Sequence, residues 1–93
     1  MTVTRDELLD QHGTLSAQLS DLLLDRAEVQ SAVERVRAET FEREYANGTN
    51  ITTIREMAGA YAAQFTSEGI KLTGQVDSIR VQIAHLELRI KEG

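Results

Sequence analysis

Apolar residues recur in alternating steps of four and three along the first half of the chain. This spacing places side chains on one seam of a coiled-coil helix, where a partner helix packs. A second series with the same spacing runs through the other half. The first series is Leu8, His12, Leu15, Leu19, Leu22, Arg26, Val29, Val33, Val36 and Thr40, and the second is Ala58, Ala62, Phe65, Gly69, Leu72, Val76, Ile79, Ile83, Leu86 and Ile90.

The two series are mirror images about a point near Thr49. Each residue number in the first series and its counterpart in the second add to 98, from Leu8 with Ile90 to Thr40 with Ala58. Such a reflection is produced when a chain folds back and lays one helix antiparallel on another. The pattern predicts an all-α fold, an antiparallel two-helix hairpin. Because each helix shows its partner only one stripe, we expect the hairpin to self-associate as a dimer into a four-helix bundle.

Residues with strong positional preferences predict where the helices begin and end. Thr4 and Glu7 form a capping box at the first helix, and Asn47-Gly48 is typical of a helix end followed by a left-handed residue. Asn50, Thr52 and Thr53 are candidate caps for the second helix. The 93 residues are predicted to form one hairpin domain, 1–93, with helix 1 over about 5–46, a turn over 47–51 and helix 2 over about 52–91.

Three polar residues interrupt the first seam at intervals of fourteen. His12, Arg26 and Thr40 would each disfavour a slipped or parallel pairing, because a polar seam residue is costly where it meets the wrong neighbour. Glu68 is the expected ion-pair partner of Arg26. We expect these three residues to set the register of the hairpin.

Two local packing arrangements are also expected from residue size. Phe41 and Tyr45 are large, whereas the facing part of helix 2 is rich in alanine and glycine, which predicts large side chains packed on small ones. Gly69 occupies a seam position opposite Val29. The missing side chain there predicts either a close approach of the helices or a hole.

Ten apolar residues lie off the seam and should not face the other helix of the hairpin. They are Leu9, Leu23, Leu24, Ala27, Ile54, Met57, Tyr61, Ile70, Val81 and Leu88. An apolar stripe wider than the seam is typical of bundle helices, which have more than one neighbour. Three interpretations of these residues are open: contact with a second copy, binding of a different protein, and scattered surface positions. The predicted partner or oligomer interface residues are Leu23, Leu24, Ile70, Val81 and Leu88.

Composition and charge narrow the classes of function. Ten basic against fifteen acidic residues give a net charge of −5, which disfavours direct nucleic-acid binding. There is no cysteine, and neither a signal peptide nor a membrane-spanning segment is predicted, so we expect a cytoplasmic protein without membrane contact. His12 and His85 lack metal-ligand spacing within one helix. We predict no metal, no cofactor and no enzyme activity, because no acid, base and nucleophile converge.

The segment Tyr45-Ala46-Asn47-Gly48-Thr49-Asn50-Ile51, followed by Arg55 and Ala58, resembles the turn of a group of small helical-hairpin proteins. These proteins come from tailed phages and prophages of actinobacteria. The resemblance implies a phage gene product in a bacterial host cytoplasm, an accessory factor without an assigned catalytic residue.

Two hypotheses of function follow. The first is a protein–protein interaction module, a small phage-type adaptor that binds a host or phage protein through its apolar residues. The alternative is a structural scaffold or assembly protein whose role is its own oligomer.

Overall fold

The computed structural model describes residues 3–92 and contains two helices of 42 residues each. Helix α1 spans Arg5–Ala46 and helix α2 spans Ile51–Glu92, and they pack against each other as a hairpin. The predicted all-α hairpin is confirmed. Contacts group the described residues into two compact units. We call residues 3–25 with 72–92 the terminal unit, and Arg26–Lys71 the turn unit.

The predicted seam is the line along which each helix is covered. All twenty seam positions are buried or half-buried, although the chain is otherwise mostly exposed. Val76 in the terminal unit and Ala62 in the turn unit are fully covered, with 0% of each residue exposed. The spacing of four and three therefore identified the contact surface of both helices.

The ends of the helices are closed by hydrogen bonds from residues close in sequence. At the start of α1, the Glu7 N–H donates to Thr4 Oγ1 over 3.2 Å, as expected of the cap. At the end of α1, Gly48 has a φ of 78°, and the N–H groups of Gly48 and Thr49 donate to the carbonyls of Tyr45 and Glu44. This is the Schellman arrangement, which requires a left-handed residue just past the helix.

Helix α2 begins at Ile51, one residue before the predicted start, because Asn50 is its cap. Asn50 Oδ1 accepts hydrogen bonds from the N–H groups of Thr52 at 2.8 Å and Thr53 at 3.3 Å. Two backbone donors that lack a partner within the helix are thereby satisfied. Of the three candidate caps, the structure selects Asn50.

Glu44 joins the end of α1 to the turn through both of its carboxylate oxygens. Thr49 Oγ1 donates to Glu44 Oε2 over 2.9 Å, and Arg43 Nε lies 3.4 Å from Glu44 Oε1. The same Arg43 guanidinium lies 5.7 Å from the ring centroid of Tyr61, a cation–π distance. The turn is therefore fixed by side chains as well as by the backbone.

Ile54 was predicted to lie off the seam, and this prediction is wrong. The sequence pattern placed it away from the other helix, but 0% of it is exposed and it belongs to the core of the turn unit. Near the turn the covered positions follow steps of four, Ile54 to Ala58 to Ala62, rather than alternating steps. A strict heptad pattern does not hold over this stretch. The half-buried Glu44 continues the mirror pattern opposite Ile54, since their numbers also add to 98.

The predicted packing of Phe41 and Tyr45 on small residues is wrong. Phe41 is 44% exposed and Tyr45 66%. The two rings instead stack on each other, with centroids 5.9 Å apart and planes 10° from parallel. One turn of α1 separates them, so they meet on the helix surface. Ala58 and Ala62 are buried without them.

Gly69 fills a seam position without drawing the helices unusually close. A Cβ built on it would meet Val29 Cγ1 at 3.7 Å, which is an ordinary contact. Of the two expectations for this position, the structure favours unfilled space over a close approach that only glycine permits.

The three polar seam residues are satisfied in different ways. His12 Nε2 lies 3.1 Å from Glu87 Oε1 on the other helix. Thr40 is buried, but its hydroxyl donates to the Val36 carbonyl of its own helix over 2.7 Å. Arg26 is half-buried and does not pair with Glu68 within 4 Å, so that expected ion pair is wrong. Its half-burial suits a side chain whose stem packs while its charged head reaches water.

Candidate functional site

Four of the five predicted interface residues are large apolar side chains that nothing in the hairpin covers. Leu24 is 64% exposed, Ile70 69%, Val81 59% and Leu88 59%. Leu23 is half-buried. Single exposed apolar residues are common on protein surfaces, so their arrangement decides whether they form a site.

Helical geometry divides these residues among different surfaces. In the terminal unit, Leu24 lies on the side of α1 opposite its seam, and Val81 and Leu88 lie on the corresponding side of α2. Because the seams of the two helices face each other, these outer sides point in opposite directions. Leu24 therefore cannot share one flat patch with Val81 and Leu88. Ile70 belongs to the turn unit and lies next to the seam residue Gly69.

The outer side of α2 in the terminal unit carries two exposed large apolar residues with an alanine and a histidine between them. Val81, Ala84, His85 and Leu88 follow the i, i+3, i+4, i+7 spacing of one helix face, and all four are exposed. We call this set the Val81–Leu88 stripe. This spacing is the one by which an amphipathic helix presents anchors to a hydrophobic groove of another protein.

A second surface lies on α1, one position beyond the seam. We call it the Leu9–Leu23 stripe, and it repeats the steps of four and three without a charged residue. Its members are Leu9, Gly13, Ser16, Ser20 and Leu23. Ser16 and Leu23 are half-buried. The other flank of the same seam is polar and fully exposed, with Gln11, Thr14, Gln18, Asp21 and Asp25.

Only the two leucines of the Leu9–Leu23 stripe belong to the apolar pattern of the sequence. Gly13, Ser16 and Ser20 are neither apolar nor large, so hydrophobic spacing does not mark them. The usable signal was the absence of charge at regular spacing, in a chain of which 27% is charged.

Two open clefts show which flanks of the helices share a side in the terminal unit. One is lined by Gln18, Asp21, Leu22, Gln75, Ser78 and Ile79. The other is lined by Arg5, Leu9, His12, Glu87, Ile90 and Lys91. The Leu9 side therefore includes the His12–Glu87 pair, and the opposite side is the polar flank.

Metal-binding side chains do not cluster among the described residues. Residues 3–92 contain no group of three or more His, Cys, Asp or Glu side chains placed to hold a metal ion. His12 is engaged by Glu87, and the cleft around Arg43, Glu44 and Tyr61 in the turn unit is built from groups that already pair with one another. Neither helix, over the described range, combines the length and apolar character needed to cross a bilayer.

Comparison of the chain with protein-family models, with curated proteins and with solved structures gives no match.

Proposed function

We propose that this protein is a non-enzymatic protein–protein interaction module, a small phage-type accessory or adaptor protein that binds a host or phage protein in the bacterial cytoplasm. The observation that carries this proposal is the exposed Val81–Leu88 stripe. Val81 and Leu88 lie seven residues apart on the outer side of α2, where the hairpin itself leaves them uncovered. The phage setting is supported by the resemblance of the turn segment Tyr45–Ile51.

Charge indicates the kind of partner that fits. The net charge of −5 lies on α1, whereas α2 has five acidic and five basic residues, and exposed residues of both signs surround the stripe. An apolar groove therefore suits the stripe, where buried anchors supply affinity, and a basic surface elsewhere on the partner would be attracted by α1.

The experiment compares capture of partners from bacterial lysate by the wild type and by two double variants. Val81→Glu with Leu88→Glu places charges on the stripe. Ala60→Glu with Ser67→Glu is the matched control, because these exposed residues have the same spacing and face outward on the same helix. Quantitative mass spectrometry should show a defined protein reduced about tenfold or more by the first pair, the loss expected for truncating or blocking binding hot spots.

The control pair should retain that partner, and both variants should keep the helicity of the wild type by circular dichroism. Equal capture by all three proteins would contradict the proposal, as would equal loss in both variants.

A scaffold that acts through its own oligomer is the second candidate. It is favoured by the placement of Leu24 and the Val81–Leu88 stripe on opposite sides of the terminal unit, since two unlike outward surfaces can produce head-to-tail growth. Light scattering at two protein concentrations separates the candidates. An adaptor has a fixed small mass, whereas the mass of a scaffold grows with concentration.

A further inference from the structure

We propose that Asn47 is a site of spontaneous deamidation, and that the reaction weakens the turn unit by placing a new negative charge at the end of α1. This modification is separate from the proposed function, because it involves neither the Val81–Leu88 stripe nor a partner. The chain has two asparagines, Asn47 and Asn50, and both are exposed in the connection between the helices. They therefore provide a comparison within one turn.

The reaction needs only the chain and water. The backbone nitrogen of Gly48 attacks Cγ, the side-chain carbonyl carbon of Asn47, and gives up its proton to solvent. The side-chain nitrogen takes a proton and leaves as ammonia, which closes a cyclic succinimide. Water then adds to either ring carbonyl, and the ring opens to aspartate or to isoaspartate, in which the backbone runs through the former side chain.

The residue that follows each asparagine determines how easily the backbone nitrogen reaches the amide. Gly48 has no side chain, and a Cβ built there would have no atom within 4 Å, so the space beside it is open. Asn50 is followed by Ile51, whose β-branched side chain crowds its own backbone nitrogen and lacks the conformational freedom of glycine. Attack is therefore sterically favoured at Asn47.

The two asparagine side chains also differ in how they are held. Asn50 Oδ1 accepts hydrogen bonds from the N–H groups of Thr52 and Thr53, which fix its amide as the cap of α2. Within residues 3–92, no group hydrogen-bonds to the side-chain amide of Asn47. This amide is therefore free to turn toward the nitrogen of Gly48.

One contact opposes the reaction. The Gly48 N–H donates to the Tyr45 carbonyl over 3.1 Å, and the nitrogen has to lose this hydrogen bond before it attacks. The bond lies at the end of a helix, where local opening costs far less free energy than unfolding of the whole chain. The rate of deamidation in the folded protein therefore depends on the opening of the turn.

The aspartate product carries its charge where the helix disfavours it. Residue 47 directly follows the last residue of α1, where unpaired carbonyl groups give the helix a partial negative charge. Glu44, three residues earlier, already holds a carboxylate in the turn, bound by Thr49, and like charges at this spacing repel each other. Aspartate at this position therefore makes the turn less stable than asparagine does.

The isoaspartate product changes the backbone itself, because it lengthens the main chain between residues 47 and 48 by a CH₂ group. The hydrogen bonds from Gly48 to Tyr45 and from Thr49 to Glu44 span this point. They depend on the left-handed conformation of Gly48. Isoaspartate therefore disturbs the Schellman arrangement in addition to adding a charge.

Peptide mapping by mass spectrometry tests the site, on the folded full chain incubated at mildly alkaline pH. Asn47 should convert to aspartate and isoaspartate, while Asn50 in the same molecules keeps its amide. The folded chain should react more slowly than the chain in urea, but by no more than about a hundredfold, because only the turn has to open. Conversion of Asn50 at the same rate, or a slowing beyond this factor, overturns the proposal.

Two variants test the effect on stability with the same change of charge in the same turn. Asn47→Asp should lower the ratio of folded to unfolded protein about two- to fivefold, the effect of one charge at an unfavourable helix end. Asn50→Asp should leave this ratio unchanged or raise it, because aspartate caps the start of a helix as well as asparagine does. Urea unfolding measures both variants. An Asn47→Asp protein as stable as the wild type overturns the proposed weakening of the turn.

The isoaspartate form of the wild type, separated by chromatography and refolded, gives the final comparison. It should unfold at a lower urea concentration than Asn47→Asp, because its backbone is altered as well as its charge. An isoaspartate form as stable as Asn47→Asp overturns the assignment of the Schellman arrangement as the element that the reaction weakens.

Discussion

The turn unit and the terminal unit use the same seam spacing but cover it in different ways. The turn unit buries Ala32, Thr40, Ile54, Ala58 and Ala62, and the terminal unit buries Leu8, Val76 and Leu86. Most large aliphatic seam residues of the terminal unit are only half-buried, among them Leu15, Leu19, Leu22, Ile79 and Ile83. The large seam residues of the turn unit, Val29, Val33, Val36 and Phe65, are half-buried as well. Two helices alone therefore leave most large seam residues partly open in both units, and the terminal unit contains more of them.

The units also differ in how polar groups hold them. In the turn unit, the Schellman hydrogen bonds, the Asn50 cap and the Glu44 carboxylate act together over a few residues. In the terminal unit, half-buried His12 and exposed Glu87 form a polar contact between the helices, and a single hydrogen bond contributes about 1 kcal/mol. The pairing of the two helices is therefore fixed by hydrogen bonds between residues close in sequence in the turn unit, and by apolar packing in the terminal unit.

The largest expected effect compares a fully buried isoleucine with a half-buried one. Ile54→Ala should lower the free energy of unfolding by about 2–5 kcal/mol, because it leaves a cavity where a fully buried side chain stood. Ile79→Ala should cost less, since part of that side chain already contacts water. Urea unfolding followed by circular dichroism at one protein concentration measures both. A larger loss for Ile79→Ala would show that the terminal unit holds the more tightly packed core.

Gly48→Ala should have the next largest effect and tests the local closure of the turn unit. At a φ of 78° an alanine is strained, and we expect a loss of about 1–2 kcal/mol in the free energy of unfolding. Gly48→Asn is the control and should lose less, because asparagine tolerates the left-handed region. Thermal unfolding gives the order of the three proteins. Equal stabilities of Gly48→Ala and Gly48→Asn would show that the left-handed backbone at residue 48 does not determine the stability of the turn.

The smallest effect is expected at two helical glycines, one in each unit. Here the test is whether each alanine variant is more or less stable than the wild type. Gly69→Ala should stabilise the turn unit by about 0.5–1 kcal/mol, because alanine favours the helix and its Cβ would meet Val29 at an ordinary 3.7 Å. Gly74→Ala in the terminal unit should gain a similar amount, since no atom lies within 4 Å. A loss at Gly69 with a gain at Gly74, measured by urea unfolding, would mean that the seam needs the closer approach of a glycine.

Much of the fold could be predicted from local chemistry and periodicity. The bounds of α1 follow from Thr4 and from Asn47-Gly48, which satisfy helix ends wherever they occur. The seam was predictable because burial of one stripe per helix requires apolar residues at steps of three and four. The candidate anchors Leu24, Val81 and Leu88 were recognisable as apolar residues off that stripe. Their division between opposite sides of the terminal unit required the hairpin to be oriented.

The wrong predictions share one physical cause. The spacing of residues along a helix gives no information about the distance between two helices. Ile54 was predicted to lie outside the core because the alternating steps of four and three do not continue into the first turns of α2. Phe41 and Tyr45 were expected to pack against helix 2. Their positions on α1 lie outside the covered stripe, and the two rings stack on each other instead. Arg26 was given a partner that its half-buried position does not require.

The amino-acid sequence by itself determined two helices, the turn between them and the mirror pairing of the seam, because each depends on residues close in sequence or on a repeated interval. Only the tertiary structure decided which capping residue is used, which seam side chains are fully covered and which apolar residues remain open to a partner. Those outcomes depend on how close two backbones come, and that distance is set by all the side chains between them at once.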